Sequence, residues 1–267
     1  MKNQANKKSL PGKLTWLTVV CALIITVSLQ AQSESFYQLK IYSYENESQE
    51  QRMDDFLKKA YLPALHRAGI PRVGVFKPID DETESGKRIY VLLPLKSLDK
   101  FESLPGRLSE DSQFQADGKD YLNAAYDNPP YKRFESILLK AFKGMPEPGL
   151  PEHSTPPAER VYELRSYQGA TEKIFQNKVE MFNEGGEISL FKKLGFNAVF
   201  YGEVISGATM PNLMYMTTFS NVASQKEHWN AFGSHPDWKI MKEDPKYQNN
   251  VSGMEIFLLH PTDYSDL

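Results

Sequence analysis

The chain says nearly the same thing twice. Residues 36–42 read FYQLKIY and residues 161–167 read VYELRSY. GIPRVGVF at 69–76 returns as GFNAVFYG at 195–202, and IYVLLPLKSL at 89–98 as LMYMTTFSNV at 213–222. FESILLKAF at 134–142 closes the first half and MEIFLLHP at 254–261 closes the second. The offset stays between about 120 and 126 residues across all four segments. A near-constant offset of that kind restricts the chain to two copies of one supersecondary unit.

Each copy reads as strand, helix, strand, strand, helix, strand. In the first, residues 36–44 alternate and are rich in Tyr and Ile, which predicts a strand. Ser48 with Gln51 three residues on reads as a capping box. Met53, Phe56, Leu57, Ala60 and Ala64 then follow at helical spacing. Pro63 predicts a kink and Gly69 a stop. Strands are predicted at 73–77 and 89–95, joined by the polar hairpin connection IDDETESGK. A helical region over 98–126 is expected to break at Pro105 and Gly106. The strand at 133–142 closes the unit. Residues 143–158, KGMPEPGLPEHSTPPA, hold five prolines in sixteen residues and read as a semi-rigid linker. The second copy has strands at 161–167, 198–205, 213–219 and 251–259. Its first helix is capped by Thr171 and broken at Gly185 and Gly186. Helices at 221–232 and 237–243 come later.

A βαββαβ order describes a ferredoxin-like unit, an antiparallel sheet with helices on one face. The bare face of one sheet has to be buried. Two copies in one chain bury each other's, so the expected fold is α+β: tandem ferredoxin-like repeats forming an intramolecular dimeric α/β barrel, a monomeric pseudo-dimer. The boundaries that follow are a first repeat over 32–142, a linker over 143–159 and a second repeat over 160–267.

Residues 1–31 are read as a secretory signal peptide. Lys2, Lys7, Lys8 and Lys13 precede an apolar run at 14–29, and Ala31 stands at the expected cleavage position. That run is short for a membrane span, so a membrane role is confined to this segment if it is retained. The expectation is an exported protein, periplasmic or secreted, beginning near Gln32. Cys21 is the single cysteine, so a mature chain would hold no disulfide or thiolate. Loss of four lysines and no acid would take the formal net charge from −3 to −7. A net acidic chain has no bulk attraction for nucleic acid.

Strand alternation separates two faces. Tyr37, Leu39 and Ile41 match Tyr162, Leu164 and Ser166; Gln38, Lys40 and Tyr42 match Glu163, Arg165 and Tyr167. The more apolar set is expected to face the helices and the polar set the space between the sheets. There the polar set forms either a structural ion-pair network or the lining of a ligand cavity. Any ligand would then touch Glu163, Arg165 and Tyr167, with Tyr201, Glu203 and Tyr215 nearby and Arg165 orienting an anion. A bulge in either of the next two strands would invert that placement. Phe200, Tyr201, Tyr215, Trp229, Phe232 and Trp238 read as core or as an apolar pocket. Of the five histidines, His228 and His235 are too oddly spaced for a metal site. No nucleophile elbow, phosphate loop or dinucleotide fingerprint occurs.

YELRSY at 162–167, GEISLFKKLGF at 186–196, VFYGEVISGATMPNLMYMTTF at 199–219, HWNAFGSHPDWKIMKEDPKY at 228–247 and PTDYS at 261–265 together resemble the NIPSNAP family. The first half resembles it loosely, through YQLKIY and YLPALHRAGI. The resemblance implies a dimeric α/β-barrel fold and carries over no catalytic motif, because the family has no agreed activity. Three functions stay open: a small-molecule binder, an oxygenase-type enzyme, and a scaffold without a ligand. No cofactor or metal is called for by the residues; haem enters by fold analogy alone.

Overall fold

The computed structural model describes residues 1, 35–79, 87–150 and 152–267. The expected signal segment, with Cys21 and Ala31, and most of the 79–87 connection lie outside the described residues. The first half contains β1 (Phe36–Ser43), α1 (Glu47–Phe56), a π-helical turn (Leu57–Tyr61), α2 (Leu62–Arg67), β2 (Gly74–Pro78) and β3 (Arg88–Leu95). It ends with α3 (Leu98–Glu110), α4 (Ser112–Asp117), α5 (Lys119–Leu122) and β4 (Arg133–Ala141). The second contains β5 (Val161–Gln168), α6 (Glu172–Asn183), α7 (Glu187–Lys193), β6 (Asn197–Ser206), β7 (Asn212–Phe219), α8 (Val222–Ser234), α9 (Pro236–Glu243) and β8 (Gly253–Pro261). Among the described residues no helix is long and apolar enough to cross a membrane.

Eight antiparallel strands close into one barrel in the order β1-β3-β2-β8-β5-β7-β6-β4. Within each half the order is the same, 4-1-3-2 and 8-5-7-6, and the halves join through β2 with β8 and β4 with β6. The Pro-rich connection does not swing free. Gly149 donates its N–H to the Val199 carbonyl at 2.9 Å, and a Cβ at Gly149 would stand 2.0 Å from the Ala198 oxygen.

Local starts and stops differ from expectation in two places. Asn46, not Ser48, caps α1, taking the Gln49 N–H at 3.0 Å. An Asn side chain reaches that amide directly, so the helix starts two residues before the expected box. Helix α3 runs through Pro105 and stops at Asp111 instead. Pro105 removes one backbone bond, but Leu104 and Leu108 on the same helix are buried and hold it in place. Asp111 is extended and its carboxylate caps α4 at the Phe114 N–H, 2.9 Å.

The face assignment is inverted. Tyr37, Leu39, Tyr162 and Leu164 point into the barrel, where they pack with Phe76, Tyr90, Leu92, Leu139, Phe200, Met216 and Leu259. Tyr42 packs beneath the helices of the first half, and Tyr167 beneath those of the second. Closure is the cause. An eight-stranded barrel has an interior just wide enough to be filled by side chains. That interior is sealed from water, so it takes the more apolar set. The helix-covered side has seams open to solvent, where a charge keeps some hydration.

Leu164 is fully buried in that interior, whereas Ile240 on α9 is 72% exposed. Leu164→Ala is expected to lower the unfolding free energy by about 2–5 kcal/mol. Ile240→Ala is expected to stay within about 0.5 kcal/mol. Urea midpoints at constant slope make the comparison.

Candidate functional site

The second half builds its polar chemistry on β5. Successive residues on the helix-facing side of that strand are Glu163, Arg165 and Tyr167. Glu163 is fully buried, and all its contacts come from donors. Oε1 accepts from Arg165 Nε at 2.6 Å and lies 2.5 Å from Nη2. Oε2 accepts from Trp229 Nε1 at 2.6 Å and Gln225 Nε2 at 2.9 Å, both on α8. One carboxylate therefore ties strand to helix.

Arg165 Nη1 donates to the Tyr167 hydroxyl at 2.9 Å, which bonds the Tyr215 hydroxyl at 2.8 Å. The guanidinium lies 3.5 Å over the Trp229 ring, a close cation–π contact. Its side chain is 12% exposed. Burial opposes the Arg165 charge, but Tyr215, Tyr167 and Glu163 outweigh it and hold its pKa above the usual arginine range. Burial also raises the Tyr167 and Tyr215 phenols above their usual value, so both stay protonated donors at neutral pH.

A second buried pair lies beside the first. Lys178 on α6 bonds Glu187 on α7 at 2.7 Å, with side chains 6% and 3% exposed. Lys178 Nζ also lies 4.8 Å from the Phe182 ring centre and 5.8 Å from that of Trp238. Arg165, Tyr167, Lys178, Glu187, Trp229 and Trp238 line a pocket of about 520 Å³ between sheet and helices. Residues 247–251 and Met254 complete its wall.

The six residues singled out from sequence share the helix-facing side, not the space between the sheets. Five are brought together, Tyr201 joining by stacking on Tyr215 at 5.6 Å. Glu203 is not. It accepts from Gln176 at 3.2 Å in an exposed position. The register of β6 slips between Ala198 and Phe200, so Val199 and Phe200 both enter the interior while Tyr201 faces the helices. The sequence reading missed Lys178, Glu187 and Gln225. Lys178 had a signal: Phe175, Lys178, Val179 and Phe182 fall on one helical stripe, which places a charge on the buried face.

Among the described residues no group of three His, Cys, Asp or Glu is set to hold a metal ion. A haem does not fit the pocket's donor set. The lining has no His or Cys. Tyr167 is engaged by Arg165 and Tyr215, Tyr247 donates to Glu180, Met181 Sδ accepts from Lys178, and Met254 is exposed.

Breaking the Lys178–Glu187 pair leaves a buried ammonium without its partner. Glu187→Gln is expected to cost about 3–5 kcal/mol of unfolding free energy. Asp55→Asn, at the exposed Lys59–Asp55 pair, should leave the urea midpoint in place.

The NIPSNAP family model matches residues 162–266. Among solved structures, the chain is similar to a Lactobacillus acidophilus NCFM protein named "putative monooxygenase", with a TM-score of 0.55 and 10% identity over 85% of this chain and 94% of that one. A Fusobacterium nucleatum protein of the same name gives a TM-score of 0.53 and 10% identity over 86% and 93%. At such identity the likeness is one of fold. A NIPSNAP family protein of Agrobacterium tumefaciens matches at 21% identity over 41% of this chain and 99% of its own, with a TM-score of 0.37. No curated protein matches the chain. The C-terminal half of the chain, residues 162–266, carries a NIPSNAP domain.

Proposed function

We propose that this chain is an exported small-molecule-binding protein, built as tandem ferredoxin-like repeats. Its ligand sits between the sheet and helices of the NIPSNAP domain, not in the barrel. The observation that carries the reading is the presentation of Arg165. Glu163 has its acceptors taken by Arg165, Gln225 and Trp229 and serves as an anchor. Arg165 is oriented by that anchor and by Tyr167, stacked on Trp229, and set in the wall of a pocket of ligand size. A flat, partly apolar molecule with an anionic or acceptor group is what such a wall would hold. The filled interior supports the same choice, since it leaves the helix-side pockets as the places for a ligand. The scaffold reading lacks a matching feature, and the oxygenase reading rests on fold likeness alone.

Three tryptophans occur in the chain, Trp16, Trp229 and Trp238. Trp16 falls in the expected signal segment and is absent from a chain starting near Gln32, and the remaining indoles both line the pocket. Binding of a metabolite-library compound is expected to change their fluorescence. The double variant Glu163→Gln, Arg165→Met removes both charges and leaves no unpaired buried ion. It is expected to stay folded and to lose the response. An unchanged response in the folded double variant would sink the proposal. Export is a separate arm: intact mass of the protein released from cells should correspond to a chain starting near Gln32, and a released species retaining Cys21 would contradict it.

A further inference from the structure

The first half has its own helix-side pocket, and its chemistry differs. The repeat places Gln38 where the second half has Glu163, and Lys40 where it has Arg165. Across the ladder, Lys40 stands opposite Val91 while Arg165 stands opposite Tyr215. Two changes thus strip the basic residue of partners: an acid becomes an amide and a phenol becomes a branched alkyl. Gln38 donates instead to Ser136 Oγ at 2.8 Å, on the residue paired with Lys40 across β4. Lys40 Nζ reaches the Tyr61 hydroxyl at 3.3 Å and lies 5.1–5.7 Å from the ring centres of Tyr61, Phe134 and Tyr42. Among the described residues no carboxylate lies within ion-pair distance of it. Beside it opens a pocket of about 420 Å³ whose walls include Phe56, Phe101, Phe114 and Tyr121.

We infer that this pocket is a second ligand site, in which Lys40 receives the carboxylate of an aromatic acid whose ring lies against those aromatic walls. A partly buried ammonium with one hydrogen-bond partner has donors to spare, and a carboxylate supplies both the acceptors and the missing charge. The walls offer the apolar area that a ring needs. This inference stands independently of the Arg165 pocket.

Burial pushes the free Lys40 amine down to about 8. The titratable groups facing it are Tyr42 on its own strand, Tyr61 from the π-helical turn, Tyr121 from α5, and Glu102 from α3 at the exposed rim. Burial raises all three phenols, so they carry no charge near that pH. An anion pairing with Lys40 raises its pKa, so binding above pH 8 requires proton uptake. Affinity should be level below about pH 8, then fall by up to tenfold, roughly, per pH unit above it.

The test is calorimetric titration of the full chain with 2-naphthoate between pH 6 and about pH 10. Lys40→Met should weaken binding about thirtyfold or more and abolish the pH slope. Gln38→Glu supplies the internal counter-ion of the second half and should weaken binding to a similar degree, with the fold verified by near-ultraviolet circular dichroism. Because 2-naphthoate also has the flat, anionic form proposed for the Arg165 pocket, every titration is made in the Glu163→Gln, Arg165→Met background, where binding at Lys40 and its pH slope should persist. The inference is overturned by absence of binding to the parent chain at neutral pH. Equal binding of neutral 2-naphthylmethanol overturns it too, as does affinity kept within about threefold in either folded variant.

Discussion

The barrel depends on two joins, because a four-stranded sheet ordered 4-1-3-2 leaves two bare edges. β2 takes β8 as its partner and β4 takes β6. Without those joins each half would expose a row of unpaired N–H and C=O groups. The joins are reinforced by the chain that follows each closing strand. After β8, Thr262 and Asp266 donate N–H groups to Val75 and Val73, and the Asp266 carboxylate takes the Val73 N–H and His66 Nε2, each at 2.8 Å. Tyr264 reaches Asp54 on α1 at 2.6 Å. After β4, Phe142 donates to Tyr201 and Gly149 to Val199. Each half therefore lays its exit segment along the edge of the other, and the PTDYS tail of the NIPSNAP domain is part of that clamp.

Closure decides where polarity can go. A sealed interior gives an ion no water and few partners, so Tyr37, Leu39, Tyr162 and Leu164 fill it. The alternate residues of the same strands then have to lie beneath the helices. There the cover is incomplete, and a guanidinium can be bound on one side and remain partly exposed on the other. The chemistry of this fold is thus pushed outward by the packing of its centre.

Much of the architecture was legible in the sequence. The period-2 alternation of residues 36–42 and 161–167, and the constancy of the offset, mark paired strands and a duplicated order. Thr171 caps α6 as read, taking the Ile174 N–H. What could not be read depends on contacts distant in sequence. Alternation divides Glu163, Arg165 and Tyr167 from Tyr162 and Leu164 without saying which set faces in. Closure of the barrel settles it, and the polar set then finds its partners in Trp229 and Gln225, more than sixty positions away. The slip between Ala198 and Phe200 leaves no mark in composition, yet it puts Val199 and Tyr201 on opposite sides. The partnership of Lys178 with Glu187 crosses the Gly185–Gly186 break, where Gly186 takes φ +99° and redirects the chain into α7.

With the interior common to both halves, the helix-side seams are where the two can differ at low cost to the fold. Glu163 cannot change alone, since Arg165 would be left buried beside Trp229 with one partner fewer. In the first half the whole set has changed together: Gln38 for the acid, Lys40 for the guanidinium, Val91 for the phenol, and no tryptophan on the covering helices. A lysine tolerates this better than an arginine, because it can release its proton when buried and an arginine cannot. The lowered pKa of Lys40 and the raised pKa of Arg165 are opposite answers to burial, set by the partners each has: Tyr215, Tyr167 and Glu163 offset it at Arg165, and nothing comparable does at Lys40.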